Sequence, residues 1–376
     1  MSGTALFLIN GLGMGNSTRC HAVIQCLIAE GVAVHVMTSG NGLTYFANVS
    51  GLAGVTPTES LFYSGTHGRI SVPRTLLALP KLLSRAAAKH RCLDDLLADI
   101  RPDVAVLDSE YTVAPLRRRR VPIVALNNAD VVVGQYLRQL RMMPRAIRAH
   151  FWAVEYLDYW FLKRHCAAVI SPAPTPLPIR HPRIRRIGLI VRPAVRALAE
   201  RPERQRDFLA PRDVRSLVMM LSGSIFASEF DAAQATFPFH VDVVGREGHS
   251  TDRVTFHGKI MDNLALLEHA DALVINGGFS AVSEALALNV PTYVIPVSGH
   301  AEQHLNAGLV HALGRGIAVT DRTVVARVAG DLDANRWRDF APRQPSLDLD
   351  GAPQAATVVL GYIRGTPGVA PGGRGR

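Results

Sequence analysis

Two short polar clusters hold most of the side chains able to grip a phosphorylated sugar. The first is Asn276-Gly277-Gly278-Phe279-Ser280, with Glu284 one helical turn beyond Ser280 on the same face. The second is Ser298-Gly299-His300, followed by Glu302, Gln303 and Asn306. Each follows an apolar run of strand length, Ala272 to Ile275 and Thr292 to Ile295, and each opens a helical pattern. Ser280 can cap the first helix, and Pro291 ends it. A helix start presents unpaired backbone N–H groups and the positive end of its dipole, which suits a phosphate. Glycines let a ligand approach the backbone, while the carboxylates and amides can bind hydroxyls. Together these residues point to a nucleotide-sugar site.

A third glycine turn lies at the other end of the chain. The apolar run Thr4 to Asn10 leads into Gly11-Leu12-Gly13-Met14-Gly15-Asn16-Ser17-Thr18, then a helix to about Glu30, Gly31, and a strand from Val32 to Thr38. This is a βαβ opening, but no acidic residue ends its second strand, where Met37-Thr38-Ser39 stands. That argues against a dinucleotide site. Further strand patterns follow at 104–107, 122–126, 167–170 and 184–190. They restart at 216–221, which ends in Ser222-Gly223-Ser224 and a helix to about Ala235. They continue at 239–244, 254–256 and 317–319. Alternating strands and helices predict an α/β protein of two doubly wound Rossmann-like domains. The first spans 1–190 and the second 191–363, hinged near 188–193, with a disordered tail at 364–376. A last helix near Pro353 to Ile363 is expected to pack back on the first domain. Ligands belong at the C-terminal strand ends, in the cleft between the two units.

Composition agrees with this. The 376 residues are 48% hydrophobic and 19% charged, which fits a folded globular chain rather than a disordered one. No apolar run approaches the ~18 residues of a spanning helix. The Met1–Gly11 stretch lacks a basic segment before its apolar run, so it reads as a core strand, not a leader. Four cysteines with no paired spacing predict reduced thiols. A net charge of +10 favours acidic partners. Nucleic acid is the weakest of these, because Arg117 to Arg120 reads as a solvated turn between a helix and a strand. Arg138 to Cys166 crowds Phe151, Trp152, Tyr156, Tyr159, Trp160 and Phe161 among basic residues. Such a segment is either a core or contact helix or one that docks on an anionic membrane.

GGFSAVSEAL followed by AEQHLNA, with GKI before them and GLGMGNSTR at the start of the chain, resembles the GT-B glycosyltransferases. The nearest groups are the nucleoside diphosphate sugar transferases related to the peptidoglycan-precursor N-acetylglucosaminyltransferase and the UDP-glycosyltransferases of natural-product pathways. The resemblance covers both domains and is strongest over Gly258 to Ala307. It implies a GT-B fold and an inverting, metal-independent transferase that uses a UDP- or dTDP-sugar and no cofactor. The acceptor would be a hydroxyl of a lipid-linked glycan, a polysaccharide or a secondary metabolite. It places Ile260 on the nucleobase, Gly277, Gly278, Phe279 and Ser280 on the diphosphate, and Glu284 on the ribose. Glu302 and Gln303 fall on the donor sugar, Asn306 supports their loop, His300 joins the donor-binding set, and Gly223 and Ser224 form a second phosphate-facing turn. The reduced thiols predict a cytoplasmic location, and the membrane-docking alternative for Arg138 to Cys166 would add peripheral contact at the inner face of the membrane.

The catalytic base departs from the pattern. Relatives carry histidine in the first glycine turn, where this chain has Asn16, which cannot usefully take a proton. Gly13, Gly15 and Thr18 complete that acceptor-side turn. His21 is about 140° further round the helix and is a poor substitute. Asp108 and Glu110, at the end of the strand VAVLD, are the candidate bases, with Asn16 orienting the acceptor or sugar. An acceptor phosphate or carboxylate that needs no strong base also fits the positive charge. No metal spacing is present, and Asp331-Leu332-Asp333 and Asp348-Leu349-Asp350 read as solvated turns or caps. Two alternatives share the architecture: a UDP-sugar 2-epimerase, and a sugar-nucleotide-binding subunit without a base.

Overall fold

The computed structural model describes residues 3–59, 65–66, 69–70, 79–174, 181–204, 215–221, 239–319, 324–333, 340 and 347–367. Gly223, Ser224, the helix expected to follow them and most of the expected tail lie outside these.

The first sheet has seven parallel strands in the order β3-β2-β1-β6-β7-β8-β9. They are β1 (Thr4–Ile9), β2 (Ala33–Thr38), β3 (Gly54–Pro57), β6 (Val104–Asp108), β7 (Ile123–Leu126), β8 (Ala168–Pro172) and β9 (Ile184–Ile187). Between β3 and β6, β4 (Gly65–Thr66) and β5 (Arg69–Ile70) form a short antiparallel ladder. The second sheet has six parallel strands in the order β12-β11-β10-β13-β14-β15. These are β10 (Ser216–Met220), β11 (His240–Val244), β12 (Val254–Phe256), β13 (Ala272–Ile275), β14 (Thr292–Val294) and β15 (Gly316–Ala318). The central strands are buried on both faces: Val104 to Asp108 and Ala272 to Ile275 are buried throughout. That is why they read as continuous apolar runs without alternation. In both sheets the strand order reverses beside the first strand, so a crevice opens at the C-terminal ends of β1 and β6 and of β10 and β13. Register sets those ends level, with Ile9 opposite Asp108 and Ile275 opposite Val294.

Local chemistry ends the helices that feed the crevice. Gly31, at φ 77°, closes the Met14–Ala29 helix. Asn289 turns left-handed at φ 56° after the Phe279–Leu288 helix, so the chain has already left the helix before Pro291. The last helix, Gly351–Ile363, follows the second sheet in sequence but packs on the first. Ala355, Ala356 and Val359 share a core with Phe7, Ile24 and Leu27.

The Arg138–Cys166 segment is not one helix. A short 3-10 turn (Leu140–Met142) and Pro144 precede the Arg145–His150 helix, a π turn covers Phe151–Glu155, and Tyr156–His165 is α-helical. One side of it is core: Phe151, Met143 and Ile147 pack with Tyr136 and with Ala301 of the second domain. The other side leaves Trp152, Leu157 and Trp160 exposed.

Candidate active site

The cleft between the sheets encloses about 710 Å³ and is lined from both domains. Two helix starts meet across it. The Met14–Ala29 helix begins after Gly13 and the Phe279–Leu288 helix after Gly278, and neither has a side-chain cap. Ser280 does not cap its own helix: its hydroxyl donates across the cleft to the Gly15 carbonyl at 2.9 Å. A Cβ on Gly15 would stand 3.1 Å from that hydroxyl oxygen, so glycine permits the approach. Thr18 donates to the same carbonyl at 3.1 Å. Gly13 and Gly278 face open space, where an added Cβ would meet nothing within 4 Å.

Gly277 is different. It does not line the cleft, and a Cβ there would lie 2.5 Å from the Gln303 carbonyl oxygen. It lets the Ala301–Ala312 helix pack against the Phe279–Leu288 helix start. The buried Asn306 amide holds its carbonyl at 2.9 Å.

Around these starts, Ile260, Phe279, Ser280, Glu284, His300, Glu302 and Gln303 all line the cleft. Glu284 accepts both arms of Arg192, at 2.6 and 3.0 Å, and Arg192 also donates to Asn263 at 2.6 Å. Arg192 lies in the connection between the domains, so the Glu284 carboxylate is held at the hinge. Gln303 accepts from the Val297 backbone at 2.9 Å, which leaves its amide NH₂ for a ligand. From the first domain, Asn16 donates to the Asn10 carbonyl and accepts from Arg19, each at 3.4 Å.

The two expected bases are corrected by their partners. Asp108 is fully buried and accepts from Arg19 Nη2 at 2.6 Å, Arg19 Nε at 2.9 Å and Cys20 Sγ at 3.2 Å. Glu110 pairs with Lys89 at 2.5 Å and accepts from the Thr112 hydroxyl at 2.8 Å. Neither lines the cleft. The sheet carries Asp108 to the correct end, but Arg19 sits between it and the cleft. Burial alone would lower the Arg19 pKa, yet the charge and hydrogen bonds of Asp108 raise it above its ordinary value. Arg19 is thus a permanent cation in the cleft wall.

The titratable groups facing the cleft come instead from the aromatic segment. Glu155, in the π turn, and Asp158, one turn later, both line it. Burial, then the charges of Glu302 and Asp158, push the Glu155 carboxyl well above its usual range. Burial also raises Glu302, against the lowering effect of Arg19 and a 3.4 Å hydrogen bond from Asn128. Desolvation pushes Asp158 up to about 6, although its hydrogen bonds from Asn127 and Tyr111 oppose the shift. These residues escape the sequence reading because an aromatic, basic segment reads as a core, contact or membrane-docking helix. The available signal was a lone acid flanked by Leu157, Tyr159 and Trp160. A π turn is also a common mark of a functional site.

His150 and His300 stack at 4.6 Å between ring centroids, tilted by 33°. Burial lowers both to about 4, each helped by a neighbouring histidine, so both are neutral at pH 7. With Glu155 they bring ligating atoms within 4.8 Å of one another. His300, however, precedes a helix start, whose dipole repels a cation.

Two Rossmann-like domains, with uncapped helix starts and a polar sugar-sized wall facing across one cleft, define the GT-B class. The match to a family model confirms it: the chain belongs to glycosyl transferase family 1, matched over residues 4–145 and 234–336. An uncharacterized glycosyltransferase of Methanopyrus kandleri is 32% identical over 108 residues, 28% of this chain and 31% of that protein. The matched stretch thus spans less than a third of that relative. An uncharacterized glycosyltransferase of Methanosarcina acetivorans is 23% identical over 83% of this chain and 84% of its own length. Among solved structures, the calicheamicin glycosyltransferase CalG4 is similar over 99% of this chain and 100% of its own, at 20% identity and a TM-score of 0.58. MurG of Acinetobacter baumannii covers 96% and 99%, at 11% identity and a TM-score of 0.57. The glycosyltransferase VinC, solved in complex with DTDP, covers 97% and 99%, at 14% identity and a TM-score of 0.55.

Proposed function

We propose that this protein transfers a glycosyl unit from a uridine or thymidine diphosphate sugar to an acceptor hydroxyl, inverting the anomeric centre without a metal ion. The observation that carries this reading is the meeting of two uncapped helix starts across the cleft at Gly15 and Ser280. Their free N–H groups and the Arg19 guanidinium supply the positive field that a leaving diphosphate needs. Glu302 and Gln303 stand beside them for the sugar, and Glu284 for the ribose. A thymidine nucleotide bound to VinC supports the thymidine alternative.

Calorimetry with UDP and dTDP, followed by mass spectrometry of a nucleotide-sugar panel, tests the reading. Nucleotide binding with sugar transfer is expected. Epimerised donor without an acceptor would establish the 2-epimerase, and binding without turnover a base-less subunit. Glu284→Ala removes a charged hydrogen-bond partner, an interaction of about 1.5–3 kcal/mol. Donor binding should weaken roughly 10- to 100-fold. Unchanged donor affinity in that variant removes Glu284 from the ribose site.

The acceptor half points to a lipid-linked substrate presented at an anionic membrane. Val154 and Tyr111 line the cleft and are exposed, and in the Arg138–Cys166 segment Met142 is 86% exposed, Trp160 57% and Leu157 56%. Arg138, Arg141 and Arg145 are exposed along the same run. Among the described residues no helix is long and apolar enough to cross a membrane. Co-sedimentation with phosphatidylglycerol vesicles is expected at low salt and should fall as salt rises. Absence of binding at every salt concentration sinks the membrane assignment.

A further inference from the structure

Among the described residues the cleft holds four acidic side chains, and three are committed elsewhere. Glu284 is taken by Arg192 at the donor side. Glu155 and Glu302 face each other across the domains, each raised by burial, with the Glu302 charge lifting Glu155 further. Burial favours the protonated form of both carboxyls, which works against a base role.

Asp158 is the fourth. It projects from the first domain's Tyr156–His165 helix, on the side where the acceptor must enter. The Asn127 amide donates to Oδ2 at 3.0 Å, and Tyr111 also hydrogen-bonds to the carboxylate. Oδ1 is buried and has no hydrogen-bond partner among the described residues. The carboxylate is therefore oriented on one side and has unused acceptor capacity on the other.

We propose that Asp158 is the catalytic base of the transfer, the role that Asn16 cannot fill. The assignment rests on the glycosyl-transfer reading above. As the acceptor oxygen attacks the anomeric carbon, its proton passes to the Asp158 carboxylate and the new C–O bond forms. The bond from the anomeric carbon to the diphosphate oxygen breaks, and its electron pair leaves with the diphosphate. That charge develops opposite Arg19 and the two helix starts. Asp158 then returns the proton to solvent. The titratable and charged groups around it are Glu155 and Cys166 on its own segment, Tyr111 and Asp108 from the strand ends, and Glu302 from the second domain. Desolvation, with the charges of Asp108 and Glu302, raises the Asp158 carboxyl to about 6 against the hydrogen bonds of Asn127 and Tyr111. The base form is present above that pH and is lost as pH falls through it.

The test uses the intact chain with a UDP- and dTDP-hexose panel, water as the hydroxyl acceptor and azide as a nucleophile that carries no proton. Asp158→Asn should lower donor hydrolysis by about 10²–10⁴-fold, the usual contribution of a general base. It should abolish the acidic limb near pH 6, yet form glycosyl azide at the wild-type rate and bind UDP unchanged. Asp158→Glu should recover part of the hydrolysis. A variant that binds UDP and hydrolyses donor like wild type, acidic limb included, overturns the assignment. Equal loss of azide and water transfer shows a structural role and also overturns it. A wild-type chain that binds neither nucleotide overturns the transfer reading and Asp158 with it.

Discussion

Replacing Arg19 with Met should destabilise the protein by about 3–5 kcal/mol, the penalty for leaving a buried charge without its partner. Asp108 is 0% exposed, and Arg19 supplies two of its hydrogen bonds, at 2.6 and 2.9 Å. Only the weaker Cys20 thiol and the Ser109 hydroxyl, at 3.2 and 3.3 Å, remain to replace them. A loss of that size is a large fraction of the 5–15 kcal/mol typical of a native chain. Urea unfolding midpoints measure it. Adding Asp108→Leu should restore most of the stability, because it removes the stranded carboxylate and keeps the volume apolar. Nucleotide affinity should stay low in the double variant, since the cation in the cleft wall is still missing. An Arg19→Met chain that unfolds at the wild-type midpoint contradicts this account of the pair.

Gly277 and Gly278 should respond in opposite ways although they are adjacent. A Cβ on Gly277 meets the Gln303 carbonyl oxygen at 2.5 Å and its Cα at 3.0 Å, which are backbone atoms that cannot swing aside. The Ala301–Ala312 helix must shift, and overpacking of this kind costs about 1–3 kcal/mol. The shift carries Glu302 and Gln303 with it, so donor affinity falls as well. Gly278→Ala meets nothing within 4 Å and starts from an ordinary φ of −64°. Its stability should change by no more than about 0.5 kcal/mol. Its added methyl instead occupies the approach to the helix N–H groups, so nucleotide binding weakens with the fold intact. Unfolding curves with and without UDP separate the two effects. Equal destabilisation by both variants, with UDP affinity untouched, would remove the phosphate role from Gly278.

Much of this was legible locally. Thr4 to Ile9 and Ala272 to Ile275 are apolar on both faces because parallel strands are covered on both sides, so composition alone reveals them. Gly31 and the turn before Pro291 mark helix ends by backbone conformation, which is also a local property. The same holds for the glycine-led helix starts that line the cleft. Gly277 and Gly278 look identical in sequence, however. Only the neighbouring helix, packed against one and not the other, separates a packing requirement from a ligand approach.

The acid–base side was not legible, and the reason is distance along the chain. Strand position correctly brings Asp108 to the cleft end of the first sheet. A residue 89 positions earlier, Arg19, then covers it. Asp158 looks like the polar face of an aromatic helix until the π turn and the fold of the first domain bring it against Asn127, 31 residues away, and toward Glu302 of the second domain. Hydrophobic period, turn chemistry and helix starts act over a few residues, so the sequence by itself determined the two-sheet architecture and the helix starts that line the cleft. The environment of a carboxylate depends on desolvation and on charges brought in from remote segments, so only the tertiary structure decided which acids line the cleft, and why Asp108 and Glu110 are not among them.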